Sequence, residues 1–318
     1  MTLIGYHASH EQFSPSRLVS CVRLAEAAGF RAAKSSDHFK PWSERQGQSG
    51  FAWSWLGAAM QATAVPFGIV SAPGYRYHPA VLAQAAATIG EMFPGRLWFA
   101  LGSGEALNEA ITGEAWPEKA ERNARLRECA DVIRALFEGA EVSHRGRVTV
   151  IEAKLYSRPE VPVPLYGAAV SAETARFIGT WADGLLTTGG ERETTRKVID
   201  AFHETAGDKP VVLQAALSWA PTEGEAMAEA MHQWAPSAIG GEVAWDLRRP
   251  RDFDTATQDI TENHVRKSVH VSSDLGELRG WIAELGGLGI DEIHLHNVGR
   301  NQEAFIEAFG MTVLPGLS

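Results

Sequence analysis

Cysteine is nearly absent: Cys21 and Cys129 are the only two in 318 residues. This excludes a disulfide framework and a cysteine-rich metal centre, and it suits a reducing compartment. Positive charge is in deficit. Lys and Arg number 29 against 39 Asp and Glu, a net charge of −10, so neither a nucleic acid nor an anionic membrane is expected as a partner. No apolar run approaches the roughly 20 residues of a membrane span. The opening Met1-Thr2-Leu3-Ile4-Gly5-Tyr6-His7 lacks the basic region and long apolar stretch of a secretion signal, so the expected location is the cytoplasm. Also missing are the dinucleotide glycine fingerprint, the P-loop lysine, an HExxH or Cys-His metal spacing, and the Gly-x-Ser-x-Gly elbow of serine hydrolases. No metal site is expected. Repeats, low-complexity tracts and linkers are absent too, and one domain over 1–318 is expected.

What is present is alternation. Short apolar runs at 3–7, 30–34, 66–72, 96–101, 163–168, 185–188, 211–219 and 292–296 read as strands, and helical spacing follows each of them. Ser14-Pro15 has the form of a helix start and Gly29 of a stop. Two stretches interrupt the alternation. The segment at about 140–160 alternates around Arg145-Gly146 and reads as an inserted hairpin. The segment at about 235–268 is Arg-rich, contains Trp245, and reads as a lid or subunit contact. Eight strand-helix units imply a parallel sheet, and at this length a closed (β/α)8 TIM barrel. A doubly wound open sheet remains the second reading, because pattern alone does not show closure.

In such barrels the chemistry gathers at the C-terminal ends of the strands. The loop after the second strand, Ser36-Asp37-His38-Phe39-Lys40-Pro41-Trp42, offers a carboxylate, an imidazole and an indole together. The imidazole titrates near neutrality and the indole can cover a planar ligand. The fourth strand runs into Gly102-Ser103-Gly104-Glu105-Ala106-Leu107-Asn108-Glu109, where Glu105 is either a general acid or a helix cap. After the fifth strand, Val170 and Ser171 open a helix whose free amides and dipole suit a phosphate, or form an ordinary cap. His294 and His296 share one face of the eighth strand and point to the barrel interior rather than to a metal.

These residues carry a resemblance. The chain is similar throughout its length to the luciferase-like monooxygenase superfamily, and within it to the deazaflavin-dependent glucose-6-phosphate dehydrogenases. The matching stretches include Gly5-Tyr6-His7-Ala8-Ser9, Glu11-Gln12-Phe13, Asp37-His38-Phe39 with Pro41-Trp42, Arg76-Tyr77-His78-Pro79, and the Gly102 to Glu109 string. The resemblance implies a barrel of the bacterial-luciferase type with His38, Trp42 and Glu105 around the reacting carbon. It further implies that Asp37, Asn108 and a bulge at Val70-Ser71 touch the cofactor. Ser103 and Thr188, ending the fourth and sixth strands, are counted with the cofactor set.

Two departures shape the expectation. Val170-Ser171 replaces paired glycines that lie under the cofactor's phosphate and tail, which suits flavin mononucleotide. Glu191 aligns with the family lysine that binds the sugar phosphate, which reverses that charge. The reading is therefore a flavin-dependent oxidoreductase or monooxygenase using FMN on a small organic substrate, as a homodimer, like the flavin-using offshoot of that branch. The alternatives are a dehydrogenase using coenzyme F420, a flavin-binding barrel without turnover, and a sugar-hydrolysing barrel with Asp37 and Glu105 as its carboxylate pair.

Overall fold

The strands form because runs of small and apolar residues leave both faces dry, as a parallel sheet covered by helices requires. The computed structural model describes residues 2–189, 191–240 and 242–317. The barrel strands are β1 (Leu3–Ala8), β2 (Ala32–Ser36), β3 (Phe67–Ser71), β4 (Leu97–Leu101), β5 (Leu165–Ala168), β6 (Leu185–Gly189), β7 (Val211–Ser218) and β8 (Glu292–Asn297). All neighbours pair in parallel. The pairing of β8 with β1, Leu3 opposite Glu292, completes the ring. The sheet is thus a closed (β/α)8 barrel, and the open doubly wound reading is set aside.

Around it lie α1 (Pro15–Ala28), α2 (Ala52–Ala62), α3 (Pro79–Met92), α4 (Lys119–Phe137), α5 (Ala172–Gly179), α6 (Arg192–Ala206), α7 (Glu223–Trp234), α8 (Leu275–Gly286) and α9 (Gln302–Ala308). The main apolar core lies between strands and helices, with Phe67, Phe99, Leu213 and Ile293 fully buried in it. A smaller interior cluster of Trp98, Ala100, Tyr166, Leu186 and Val212 fills the barrel. Trp98 lies flat on Tyr166, with centroids 5.4 Å apart and planes 11° from parallel. Burying one such indole contributes on the order of 4 kcal/mol. Gly68 makes the room: a Cβ there would stand 1.9 Å from the Trp98 ring.

The inserted hairpin forms as expected, Val142–Arg145 antiparallel to Thr149–Ala153. Elsewhere the structure departs from the sequence reading. β2 starts at Ala32 rather than at 30, because Gly29 adopts φ 103° and the Phe30 amide still donates to Ala25 O in the closing turn of α1. Ser14 precedes α1 without making a side-chain cap bond. The bulge implied at Val70-Ser71 does not form, since β3 pairs with β4 without a register shift from Phe67 to Ser71.

The segment at about 235–268 is more ordered than its pattern suggested. It holds short helices at Glu242–Asp246, Pro250–Ala256 and Glu262–Val265, and it leads to a two-residue strand, His270–Val271, on the end of β7. Helices this short lack a readable period and depend on tertiary packing. Here that packing is against the loop after β2: buried Phe253 meets the Trp42 ring edge-on at 5.3 Å, and Arg45 pairs with Asp254 at 3.1 Å. No helix among the described residues is long and apolar enough to cross a membrane.

Candidate active site at the barrel mouth

A cavity of about 790 Å³ opens where the C-terminal ends of the strands converge. All eleven residues singled out from the sequence line it: His38, Trp42, Glu105, Asp37, Val70, Ser71, Ser103, Asn108, Val170, Ser171 and Thr188. The barrel brings them together, because they lie at or just beyond the C-terminal ends of five neighbouring parallel strands, β2 to β6.

His38 is the centre of the site. Its Nδ1 lies 2.5 Å from Glu11 Oε1, and its Nε2 lies 4.0 Å from Glu105 Oε2. Burial alone would depress the imidazole, but the charges of Glu11 and Glu105 outweigh it and hold its pKa above the ordinary value. Glu11 is buried and also accepts from Ser9 Oγ at 2.8 Å. Burial opposes its ionisation, and the pairing with His38 overcomes this and drives its pKa far below the usual carboxylate range. Glu105 goes the other way. Burial, with Glu109 and Glu11 nearby, raises it, and His38 only partly compensates. Two carboxylates on one imidazole are therefore pushed apart in acidity, the pattern of an acid-base site. Glu105 stands at the start of the short helix Ala106–Glu109 but makes no side-chain cap bond, so capping does not explain it. Trp42 meets His38 edge-on at 5.3 Å and walls one side.

The residues expected to touch a cofactor divide into two groups. Asp37, Ser71 and Asn108 spend their side chains on bracing. Asp37 accepts from Ser71 Oγ at 2.7 Å, from Tyr77 OH at 3.1 Å and from Arg76 Nη1 at 3.4 Å. Such an engaged carboxylate is not a free partner for Glu105, which removes the basis of the sugar-hydrolysing alternative. Arg76 continues to Glu109 Oε1 at 3.0 Å. Asn108 Oδ1 accepts from the amides of Phe39 and Lys40 at 2.9 and 3.1 Å, and its Nδ2 reaches Glu105 Oε2 at 3.3 Å. One side chain thus ties the loop after β2 to the loop after β4. Ser103 and Thr188 line the cavity and make no side-chain hydrogen bond among the described residues. Ser171 caps α5, accepting from Thr174 N at 3.3 Å and donating to Thr174 Oγ1 at 3.0 Å. Val170 is half exposed beside it. Glu191 sits exposed ahead of α6, outside the cavity lining.

Several groups were missed from the sequence. Glu11 lies in the loop after β1, and weighing every strand-end loop for a charged residue would have found it. Deeper in the barrel, His7 on β1, Lys34 on β2, Gln214 on β7 and His296 on β8 lie around the inner end. Only the barrel brings these four together. Among the described residues, His7 Nδ1, Thr187 Oγ1 and Arg122 Nε are buried polar atoms of lining residues without a hydrogen-bond partner, which suits a cavity that holds a polar ligand.

The description "Luciferase-like monooxygenase" matches residues 1–292. The chain is 36% identical over 332 residues to an F420-dependent glucose-6-phosphate dehydrogenase of Intrasporangium calvum, spanning 100% of this chain and 99% of that protein. A protein of the same description from Microbacterium testaceum is 35% identical, over 98% and 96% of the two chains. Among solved structures, an F420-dependent secondary alcohol dehydrogenase in complex with an F420-acetone adduct superposes with a TM-score of 0.93 at 30% identity, covering 100% of this chain and 99% of that one.

Proposed function

The chain belongs to the luciferase-like monooxygenase family, and from that premise we propose that it is a coenzyme F420-dependent dehydrogenase of a small, unphosphorylated alcohol. The observation that carries this reading is His38 held between a strongly acidic Glu11 and a weakly acidic Glu105 at the mouth of the cavity. The relatives' cofactor supports F420 over the FMN expectation. That expectation leaned on Ser171, whose hydroxyl proton goes to Thr174 Oγ1, so Ser171 offers a phosphate little beyond the helix amides. The unpartnered His7 Nδ1 and Thr187 Oγ1 fit a polar ring system.

When bound, coenzyme F420 supplies a two-electron hydride acceptor. The chain's part is the proton. Nδ1 of His38 is taken by Glu11, which leaves Nε2 facing the cavity to accept the hydroxyl proton of the alcohol. The imidazolium that forms is held by Glu11, as a buried carboxylate holds a catalytic histidine elsewhere. Glu105, whose carboxyl burial makes easier to protonate, is the second proton-handling group, 4.0 Å from His38 Nε2. Trp42, backed by Phe253, walls one side of the His38 site. Ser103, Thr188 and the amides at the start of α5 are the groups left to hold the cofactor.

Unphosphorylated substrates are favoured because Glu191 stands where the resemblance places a phosphate-binding lysine. The test is a titration of the apoprotein with F420 and FMN, followed by F420 reduction with secondary alcohols and with glucose 6-phosphate. Submicromolar F420 binding with alcohol turnover is the expected result. Tight FMN binding with none for F420 sinks the cofactor assignment, and efficient glucose 6-phosphate turnover sinks the substrate assignment.

A further inference from the structure

Lys34 has no role in the proton relay, yet its side chain is wholly buried and lines the inner end of the cavity. Its Nζ donates to Gln214 Oε1 at 2.6 Å and, among the described residues, makes no other hydrogen bond and no ion pair. An ammonium carries three donors, so two are left over. A lysine that merely filled space would stretch its amine to water. This one stops in the barrel, where neighbouring interior positions are filled by Leu186 and Val212.

The charge count at this depth is one anion short. The carboxylate acting on Lys34 is Glu11, and Glu11 is committed to His38 at 2.5 Å and Ser9 at 2.8 Å. A buried ammonium without a counter-ion is costly. Burial accordingly brings the Lys34 amine down to about 7, with Glu11 pulling the other way. The other titratable groups facing it are His7 on β1 and His296 on β8. Burial with the nearby Lys34 charge takes His7 well below its ordinary value, and burial takes His296 to about 3, so both rings stay neutral near pH 7. Gln214 on β7 is uncharged. Lys34 is the group in this cluster whose charge changes near neutrality.

We propose that Lys34, with the unpartnered Nδ1 of His7 beside it, seats an anionic oxygen at the inner end of the cavity. The ligand class is an organic anion presenting a carboxylate or an ionised ring hydroxyl at its leading end. Which source supplies that oxygen, substrate or cofactor ring, rests on the dehydrogenase reading; the seat itself does not.

The experiment has two arms, run on the wild type and on Lys34→Met. An apolar chain of similar length should be tolerated in place of a buried amine, and Lys34→Gln is the second variant should Lys34→Met fail to fold. In the first arm, acetate, lactate and benzoate are titrated into the apoprotein and read by the fluorescence of Trp42 and Trp234, which both line the cavity. If the substrate supplies the anion, wild-type affinity weakens as pH rises through 7, and the variant binds about 10- to 100-fold more weakly with no such dependence. In the second arm, the ionisation of the F420 ring hydroxyl is followed by absorbance on the bound cofactor. If the ring supplies the anion, the wild type ionises it at lower pH than free F420 does, and the variant loses that shift. A change in either arm upholds the seat and identifies its source. A wild type that binds none of the carboxylates and leaves the ring hydroxyl unshifted overturns it, as does a folded variant that matches the wild type in both arms. If F420 binds neither protein, the dehydrogenase reading falls, and the carboxylate arm alone decides the seat.

Discussion

Glu11→Gln removes one negative charge from the His38 site at almost constant volume. The geometry sets what is lost. Glu11 Oε1 lies 2.5 Å from His38 Nδ1 with Glu11 buried, while the His38 side chain is 18% exposed and Glu105 remains 4.0 Å from Nε2. The full attraction of two charges about 4 Å apart is about 4 kcal/mol at an effective dielectric near 20. Residual solvent and the surviving Glu105 reduce the loss to that of one charged hydrogen bond, about 1.5–3 kcal/mol. That is about a 10- to 150-fold fall in the rate at which His38 takes a proton. The direction in pH follows from the sign of the shift. Glu11 helps to hold the His38 pKa up, so the variant's rising limb of kcat/KM moves to lower pH while its plateau falls.

Stability carries the same signature. Glu11, depressed, stabilises the fold above its ordinary 4.5 and loses that contribution as pH falls through its folded value. His38, raised, stabilises the fold below its ordinary 6.5 and loses that contribution as pH rises through its folded value. The pair contributes most between these limits, so the variant's melting deficit should be largest at about pH 4.5–6.5. Histidine ¹⁵N shifts read the His38 titration without any substrate. If His38 titrates at the same pH in both proteins and the kcat/KM limb is unmoved, the coupling of Glu11 to His38 is refuted.

The other perturbations are simpler. His38→Ala and Glu105→Gln should each lower the single-turnover rate by about 10²–10⁴-fold with the cofactor still bound; normal turnover in both ends the catalytic assignment. Trp42→Ala should instead raise KM, seen in steady-state kinetics, because the indole supplies contact and no proton. Asn108→Ala should raise KM and loosen the loop after β2, since the Phe39 and Lys40 amides lose their acceptor; amide hydrogen exchange at these two residues is the check. Gly68→Ala should destabilise by about 1–3 kcal/mol in denaturant unfolding, because its Cβ meets a Trp98 ring pinned on Tyr166 and donating to Glu292 at 3.2 Å.

Much of the architecture was legible from local pattern. A strand buried on both faces must be apolar, and a helix on a barrel must carry an apolar stripe, so the eight repeating units show in the sequence. Their common direction then implies that the loops of Asp37, His38, Glu105 and Ser171 share one mouth. Boundaries were less legible, because Phe30 looks like a strand residue until the Gly29 turn gives its amide to α1. The helices of the 235–268 segment were illegible, since four to seven residues carry no period.

The sequence by itself determined the strand-helix order, the family resemblance, and the candidacy of His38, Trp42 and Glu105, because these depend on residues near one another in the chain. Tertiary structure decided which carboxylate does what. Glu11, Asp37, Glu105 and Glu109 are alike as letters; burial and neighbours make one strongly acidic, lock one to Ser71, Arg76 and Tyr77, and raise the other two. Lys34 is the clearest case. In sequence it is a lone charge in a strand of small residues, and only closure of the ring sets it beside Gln214, 180 positions away, with no carboxylate of its own. Protonation depends on distance and on exclusion of water, and neither exists along the chain until the barrel closes.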